Sequence, residues 1–476
     1  MSDQETFPCE KSIAQAAEQF KRIKDYVMGE AQTQDAYTVE KRLFREAMKL
    51  SLYMMGGYFE KKRGGHMGDA IVLEDGQTLP RERLSDKRHI VVFGELLLKR
   101  WYYHEDGDLG VFPLDEDTNL PLRSYSYYVQ ELLGQKTTQL AYDGAMADLE
   151  KHFGFTPYKH TVEDMVNDAA RDVQSFWESL PRPAPETEAS IIALMVDGKG
   201  VPMVKDEPVE HKVRLGPGEK LSHKKEATVG TLYTVEPYER TADDIVAEVR
   251  DKKSPPKRPQ PKNKRVRATL DGKQALFQWT LQEVERRDPH HTKARVCVMD
   301  GSKALWTQAR AELKGCTFVL DLFHALEYLW KAAYAFHPEN GPQAHQFVRQ
   351  QLVMLLEGKV GYVIGGLRQM LTKHPKLGKE RSTTIRKTIN YYQSHRKAMR
   401  YDQYIAAGYP IGSGAVEGTC LHLVKDRMQG SGMRWTVRGA EAVLQLRALY
   451  QNGDWDAYWQ YHMQCEYNRR FGREAA

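Results

Sequence analysis

The chain has 476 residues, of which 28% are charged and 41% are hydrophobic, so it is too long for one hydrophobic core and too apolar to be disordered. Its net charge of +5 is unevenly divided, because residues 1–250 carry −12 and residues 251–476 carry +17. The basic half favours a polyanionic partner such as nucleic acid, although a chance fluctuation of charge along a long chain would look the same.

Two other classes of protein are excluded by the sequence. The first residues, MSDQETFPCE, are acidic and lack an apolar core, unlike a signal peptide, and no apolar run reaches the roughly 18 residues of a membrane span. The five cysteines are widely spaced without a C-x-x-C pair, which is typical of reduced thiols rather than of zinc ligands or disulfides. We therefore expect a cytoplasmic protein of two to four domains that does not contact a membrane.

The first 182 residues are predicted to form three parts. Apolar residues spaced by three or four predict two helices over 11–62, in an N-terminal helical region, 1–79, that is either a dimerisation arm or a hairpin packed on its own domain. The run HIVVFGELLLKRWYY predicts a strand with a bulge or tight turn at Gly94, in a small β unit, 80–123. Residues 124–182 predict a helical bundle that resembles a helix-turn-helix. Its last helix, 161–180, has a net charge of −4, which favours a protein interface over DNA contact.

A Pro-rich segment, 181–188, then leads to strands predicted at 191–196, 201–204 and 227–235. The segment DKKSPPKRPQPKNKRVR, 251–267, contains eight Lys or Arg, four Pro and one acid, a net charge of +7. Proline keeps such a segment extended, so we predict a basic linker that follows a phosphate backbone. A linker that only aids solubility is the alternative.

Helices and strands alternate after this linker, with strands at 293–299 and 317–320, which predicts a mixed sheet with parallel strands and crossover helices. A helical block, 337–404, interrupts this pattern, and its stretch 373–400 has a net charge of +8. We therefore expect a multidomain α+β protein. Its α/β domain has a first part, 189–336, and a second part with C-terminal helices, 405–476, separated by an all-helical insertion.

Two predicted strands run directly into an Asp-Gly pair, at Asp197 and at Asp300. A carboxylate at the end of a buried strand is held rigidly, as a metal ligand must be. Asp197 with Gly198 can equally be a hairpin turn, and Asp300 can be the N-cap of the helix that follows it.

Glu417 is the third candidate carboxylate. If residues 416–428 are helical, Glu417 shares with Leu421, Val424 and Met428 the face that should pack on the sheet. A carboxylate there needs a partner, which is either Arg427 or a metal held together with the two aspartates. Such a set of three carboxylates can bind two Mg²⁺ ions, or Mn²⁺ in their place, and promote in-line phosphoryl transfer.

The chemistry-bearing residues resemble a known family, the ISKra-type insertion-sequence transposases, which are relatives of the Mutator-like elements. The resemblance is carried by residues that follow one another in this order: Asp197, Asp300, the D-x-x-H of Asp321 and His324 in VLDLFHALEYLW, the GSG-x-V-E of 412–417, and the pair Arg434 and Trp435. It extends from FGELLLKRWYY to the C-terminus and is most specific in YPIGSGAVEG and LVKDRMQGSGMRW.

This resemblance implies an RNase H-like catalytic domain in which Asp197, Asp300 and Glu417 form a DDE triad. It implies a bacterial, nucleoid-associated transposase that binds the terminal inverted repeats of its element, cleaves DNA with Mg²⁺ and joins the freed 3′ hydroxyl to target DNA. A homodimer or a larger assembly is expected. His324 would orient the scissile phosphate and Asp321 would position His324, and a structural role in the core is the alternative for this histidine.

The residues expected to bind DNA lie in the basic linker, the basic stretch and the C-terminal motif: Lys252, Lys253, Lys257, Arg258, Lys262, Lys264, Arg265, Arg267, Lys387, Arg396, Lys397, Arg400, Lys425, Arg427, Arg434 and Trp435. Arg434 would clamp a phosphate and Trp435 would stack on a base, unless Trp435 is a core aromatic. Two other functions stay open: an RNase H-like nuclease that joins no strands, and a catalytically silent, transposase-derived DNA-binding protein.

Overall fold

A computed structural model describes residues 11–73, 76–106, 110–204, 224–249 and 258–472. The chain divides into two compact units: unit 1 contains residues 1–176 and 454–476, and unit 2 contains residues 177–453. The last helix therefore groups with the N-terminal region and not with residues 177–453. No helix among the described residues is long and apolar enough to cross a membrane.

The strands are β1 (Ala70–Val72), β2 (Thr78–Val91), β3 (Gly94–Tyr103), β4 (Ile191–Pro202), β5 (Lys224–Val235), β6 (Lys262–Thr269), β7 (Ala294–Met299) and β8 (Thr317–Leu320). The α-helices are α1 (Lys11–Met28), α2 (Ala36–Lys61), α3 (Pro113–Asp117), α4 (Tyr127–Thr137), α5 (Tyr142–Phe153), α6 (Lys159–Ala169), α7 (Val173–Ser179), α8 (Ala242–Val249), α9 (Lys273–Arg287), α10 (Lys303–Glu312), α11 (Leu322–Phe336), α12 (Pro342–Leu356), α13 (Val360–Lys373), α14 (Lys379–His395), α15 (Tyr401–Ala406), α16 (Gly414–Thr419), α17 (Val437–Asn452) and α18 (Trp455–Phe471). After α16 the chain is π-helical over Cys420–Lys425 and ends with one α-helical turn, Asp426–Met428.

Unit 1 begins with the two predicted helices, which form an antiparallel hairpin. Glu60 near the end of α2 accepts hydrogen bonds from Ser12 at the start of α1, and Gln19 donates to Glu46 over 2.6 Å. The strands β1, β2 and β3 then form an antiparallel sheet. The predicted tight turn is confirmed, because Val91 pairs with Gly94, whose φ of +140° suits glycine.

The acidic charge of residues 161–180 has partners inside unit 1. Asp168 binds Arg123 and also Arg171 at 3.2 Å. Asp172 is buried and accepts two hydrogen bonds from Arg469 on α18, at 2.7 and 2.8 Å, and one from His462. These carboxylates therefore join the helices of the unit to one another.

Unit 2 is built on a five-stranded mixed sheet in the order β6-β5-β4-β7-β8. The first three strands in the chain, β4, β5 and β6, pair antiparallel, whereas β7 is parallel to β4 and β8 is parallel to β7. The mixed sheet predicted from the alternating elements is confirmed. Within 322–406, the part of unit 2 between β8 and α16 contains α-helices and no strand, in line with the predicted helical interruption.

Two local expectations are wrong. Asp197 does not end a strand or form a hairpin turn, because β4 continues to Pro202 and stays paired with β5 as far as Lys224. The basic linker is not extended coil after residue 261, because Lys262–Thr269 form the edge strand β6. Its inner residues are buried, and the Arg267 guanidinium packs 5.1 Å from the centre of the Trp177 ring. Lys252, Lys253 and Lys257 lie outside the described residues.

Candidate active site

Asp197 and Asp300 are neighbours on two parallel strands. The register of β4 and β7 pairs Val196 with Met299; Asp197 is the next residue of β4, and Asp300 directly follows the end of β7. Matching register positions on adjacent strands point to the same face of a sheet. Burial raises the pKa of the Asp300 carboxyl group, and the negative charge of Asp197 adds to this shift. The two side chains therefore form one acidic site at the end of the parallel pair.

Asp321 and His324 form a fixed pair at the start of α11. Asp321 is the N-cap of this helix, and its Oδ2 accepts both the backbone N–H of His324, at 2.9 Å, and its ring Nδ1–H, at 2.6 Å. The hydrogen bond that His324 donates to the fully buried Asp321 raises the pKa of His324 to about 9. At neutral pH the ring is therefore an imidazolium, and Asp300 is among the negative charges that favour its protonation.

Glu417 reaches the same site through Ser413, a residue that the sequence analysis did not select. Ser413 donates its backbone N–H to Asp321 Oδ1 at 2.7 Å and its hydroxyl to Glu417 Oε1 at 2.8 Å. One ligand atom from each of Asp321, His324 and Glu417 lies within 4.8 Å of the others. The serine is four residues, or about one helical turn, before Glu417, and this spacing is the signal that could have revealed it.

The predicted face of the Glu417 helix is only partly correct. Val424 and Met428 are buried, but Glu417 and Leu421 are exposed. The π-helical segment inserts an extra residue per turn, so the 3.6-residue spacing used for the prediction does not continue past Cys420. As a consequence, Glu417 lies at an open edge of the site and not between helix and sheet.

Cys420 is a second residue that sequence reasoning missed. This buried thiol donates to Asp197 Oδ2 at 3.4 Å, and burial together with the charges of Asp197 and Glu417 raises its pKa. It follows Glu417 by three residues, so one helical turn contacts both Asp197 and Ser413. The turn thereby places Glu417 beside the aspartates.

Tyr391, on α14, packs against Gly301 behind the aspartates. A Cβ atom at Gly301 would overlap the tyrosine ring, which is stacked on Tyr328 with 3.8 Å between ring centres. Residue 301 is therefore a glycine because a larger side chain would clash with Tyr391, and not because the chain turns there. The Tyr391 hydroxyl is buried without a hydrogen-bond partner among the described residues.

The three triad candidates have the charge that a cation site requires. Within the described part of the chain, no Lys or Arg forms an ion pair with Asp197, Asp300 or Glu417. Burial is the main cause of the raised pKa of Asp300, and the negative charge of Asp197 adds to it. Carboxylate oxygens are the ligands that Mg²⁺ prefers, which favours a divalent metal at these residues. Among the described residues of this site, however, the group whose ligand atoms all lie within 4.8 Å of one another is Asp321, His324 and Glu417. The Nδ1 atom of His324 is bound to Asp321, so Nε2 is the ring nitrogen left for a ligand or a substrate.

A basic cavity lies elsewhere in unit 2, at the start of β8. This open cavity of about 770 Å³ is lined by Arg310, Arg396, Lys397 and Arg400, and no Asp or Glu lines it. Three of these four cations belong to the predicted DNA-binding set. The structure thus brings part of the basic stretch 373–400 together with Arg310, which sequence reasoning did not select.

The other predicted DNA-binding residues fall into two groups. Lys262, Lys264, Lys387, Lys425 and Arg434 are exposed. Arg267, Arg427 and Trp435 are buried, so the expectation that they contact DNA is wrong. Arg427 stacks on Trp435 at 4.8 Å from its ring centre, and the Trp435 indole donates to the carbonyl of Met428 at 3.1 Å. Arg265 is half-buried, and Arg258 pairs with Glu248.

Comparisons with known proteins add little. No family model and no curated protein matches the sequence. Among solved structures, the chain is similar to a Drosophila P element transposase strand transfer complex, with 11% sequence identity, coverage of 70% of this chain and 80% of that chain, and a TM-score of 0.24. A similarity of this size defines neither the fold nor the function of this chain. The fold and the site thus define an α+β protein with an acidic cluster at the edge of a five-stranded mixed sheet.

Proposed function

We propose that this chain is a DDE transposase of a bacterial insertion sequence, with an RNase H-like catalytic domain in unit 2. The observation that carries the proposal is the placement of Asp197 on β4 beside Asp300 at the end of β7, with Glu417 on a helical turn whose Cys420 contacts Asp197. Among the described residues no Lys or Arg forms an ion pair with any of the three carboxylates. Neighbouring carboxylates without an ion-pair partner destabilise a fold, so a purely structural role does not account for them. They are suited to binding the metal ions of a phosphoryl-transfer site.

The topology of unit 2 supports an RNase H-like domain. Three antiparallel strands are followed by two that run parallel to the first, on its other side, which is the arrangement expected of such a domain. The acidic residues lie on the central strand β4, directly after β7 and on a helix after the last strand. The helical segment 322–406 stands where the family places its insertion.

Each residue of the site has a distinct task in this proposal. Asp197, Asp300 and Glu417 would hold two Mg²⁺ ions, which stabilise the charge on the attacking and leaving oxygens of a phosphodiester. Ser413 and Cys420 hold the carboxylates of Glu417 and Asp197 in place. The imidazolium of His324 supplies a hydrogen bond and a positive charge to the phosphate, and Asp321 orients its ring.

The basic cavity supports a DNA substrate. Arg310, Arg396, Lys397 and Arg400 form no ion pair with an acid within the described residues, so they are free to neutralise phosphates. The exposed lysines of β6 and α14 would extend this contact. Binding of terminal inverted repeats and assembly as a homodimer belong to the same proposal, because two element ends must be brought together.

The test is cleavage of a DNA fragment that carries the terminal repeat of the element. We expect Asp300→Asn to keep its affinity for DNA. Its Mg²⁺-dependent nicking should be at least about a hundredfold slower, because the variant lacks a ligand of the metal ions that stabilise the charge of the transition state. Asp243→Asn, which changes an exposed acid on α8, is the matched control and should cleave normally. Normal cleavage by the Asp300 variant would contradict the proposal.

Strand transfer separates the transposase from the nuclease. A pre-cleaved end, incubated with a supercoiled plasmid and Mg²⁺, should give a joined product. Cleavage without joining would favour the nuclease, and binding to the correct ends without any cleavage would favour a silent DNA-binding protein.

A further inference from the structure

A second cavity, of about 480 Å³, shares a wall with the acidic cluster. The wall is the loop from Gly408 to Gly414, whose residues Pro410, Ile411 and Gly412 line the cavity, while Ser413 of the same loop binds Asp321 and Glu417. The volume is in the range of about 300 to 1,000 Å³ that is typical of small-ligand sites. A ligand in this cavity would therefore lie directly beside the site of phosphoryl transfer.

Three aromatic side chains line this mostly aliphatic cavity, Phe323, Tyr233 and Tyr238. Phe323, between Asp321 and His324 in the chain, lies over Gly412, where a Cβ atom would come within 2.8 Å of its ring. Its side chain is 44% exposed although it stands beside a buried aspartate. Tyr233 and Tyr238 line the same space, and burial raises the pKa of Tyr233 to about 12. Tyr233 is buried, so the exposed ring of Phe323 is the one suited to stacking with a planar ligand.

A guanidinium without a carboxylate partner completes the cavity. Arg240 donates from Nε to the carbonyl of Tyr238, at 3.2 Å, and from Nη2 to the carbonyl of Tyr409, at 2.9 Å. No Asp or Glu within the described ranges forms an ion pair with it, whereas the other cation of the cavity, Arg258, pairs with Glu248. An arginine has five N–H donors, and those left over match the oxygens of a phosphate.

We propose that this cavity binds one unstacked nucleotide of the DNA strand at the acidic cluster, with its base against Phe323 and a phosphate at Arg240. The inference rests on the proposed function, because the DNA at the cluster is the source of the nucleotide. Three features favour this occupant over an uncharged apolar ligand: the stacking surface, the positive charge without a carboxylate partner, and the shared wall. A base offers its faces to protein rings only after it has left the helical stack.

The first experiment locates the base by photocrosslinking. A single-stranded oligonucleotide with 5-iododeoxyuridine is bound to the full chain in EDTA, irradiated and mapped by mass spectrometry. We expect crosslinks to peptides that contain Phe323, Tyr233 or Tyr238. Crosslinks found only at the basic cavity, or only in other peptides, would overturn the proposal.

The second experiment measures what the base contributes to binding. We expect an oligonucleotide of abasic sites to bind about tenfold more weakly than one with bases, and Phe323→Ala to remove most of that difference. Tyr362→Ala, which removes an aromatic ring that is 76% exposed on α13, is the control and should keep the difference. Equal affinities for both oligonucleotides in the wild-type protein would also overturn the proposal.

The two proposals fail in different ways. Neither experiment requires cleavage, so a chain that never cuts DNA but crosslinks at Phe323 keeps the nucleotide site and loses the transposase function. A deoxynucleoside monophosphate tested beside deoxyribose 5-phosphate identifies the source of the ligand. Base-dependent binding of the monophosphate without binding of the oligonucleotide would show a site for free nucleotides and would contradict a site for a DNA strand.

Discussion

Ser413 donates its backbone N–H to the carboxylate of Asp321 over 2.7 Å and so joins two residues that are 92 positions apart. The helices α11 to α15 lie between them in the chain. The bond holds the loop before Glu417 against the end of β8, and Asp321 holds His324 with its other oxygen. A single buried carboxylate therefore connects the sheet, the imidazolium and the third member of the proposed triad.

Removal of the Asp321 charge should change the titration of His324. In Asp321→Asn we expect the pKa of His324 to fall from about 9 toward the ordinary 6.5, because the hydrogen bond that favours the imidazolium is lost. The measurement is an NMR titration of the ring protons, assigned with His324→Gln. An unchanged pKa in Asp321→Asn would show that Asp321 does not control this ring.

The same pair predicts a pH dependence of stability. The pKa of His324 is higher in the folded chain than in the unfolded chain, so its contribution is complete below pH 6.5 and is lost as the pH rises through about 9. The wild-type Tm should therefore fall more between pH 6 and pH 10 than the Tm of His324→Gln. Parallel pH profiles of the two proteins would contradict this prediction.

Two adjacent tyrosines on α14, Tyr391 and Tyr392, should differ in how much stability is lost when the hydroxyl group is removed. The Tyr392 hydroxyl donates to the carbonyl of Ala325 at 2.8 Å, so Tyr392→Phe should lower the free energy of unfolding by about 1 kcal/mol. The Tyr391 hydroxyl is buried without a partner among the described residues, so Tyr391→Phe should leave stability unchanged or raise it. Urea denaturation of both variants measures the difference. A loss in Tyr391→Phe as large as in Tyr392→Phe would mean that an ordered water binds that hydroxyl.

The basic cavity should contribute phosphate contacts that do not depend on DNA sequence. Arg396→Gln with Lys397→Gln should weaken binding equally on unrelated duplexes and reduce the slope of log K against log salt by about 2, since each lost contact removes roughly one unit. The control is Lys21→Gln with Arg45→Gln, which removes one exposed lysine and one exposed arginine from unit 1. Fluorescence anisotropy across a salt series provides the measurement, and identical slopes in both double variants would rule out this contact.

Asp172 should contribute ionic support to unit 1, as buried Asp115 does through Arg100. Burial opposes its ionisation, but hydrogen bonds from Arg469 and His462 outweigh that effect and lower its pKa to about 2. Asp172→Asn should cost about 2 kcal/mol, less than a fully buried pair, because the Arg469 side chain is 35% exposed. Thermal unfolding near pH 7 measures the loss, and Asp164→Asn on the exposed side of α6 should show none.

The contribution of Asp172 to stability depends on pH in the opposite sense to that of His324. The pKa of Asp172 is lower in the folded chain, so its contribution is present above about pH 4 and is lost as the pH falls toward 2. The difference in Tm between wild type and Asp172→Asn should shrink over this window. A difference that persists at pH 2 would show that the variant acts through packing and not through charge.

Much of the fold was predictable because it depends on local pattern. The spacing of apolar residues over 11–62 predicted α1 and α2, and Gly94 marked the turn between β2 and β3. The apolar runs before Asp197 and Asp300 predicted β4 and β7. Several failed predictions concern burial: Arg267, Arg427 and Trp435 looked like DNA ligands by residue type, and each packs in the interior of unit 2.

The sequence by itself determined the helices and strands, the charge distribution and the identity of the acidic residues, since these follow from residue type and periodicity over a few positions. Only the tertiary structure decided which groups meet. Ser413 and Cys420 have no chemical signature of their own, and they became parts of the site because the chain returns after 92 residues to Asp321 and because a π-helical turn points a thiol at Asp197. Burial and hydrogen bonding depend on neighbours distant in sequence, so a basic residue type alone could not separate Arg396 at an open cavity from Arg427 stacked on Trp435.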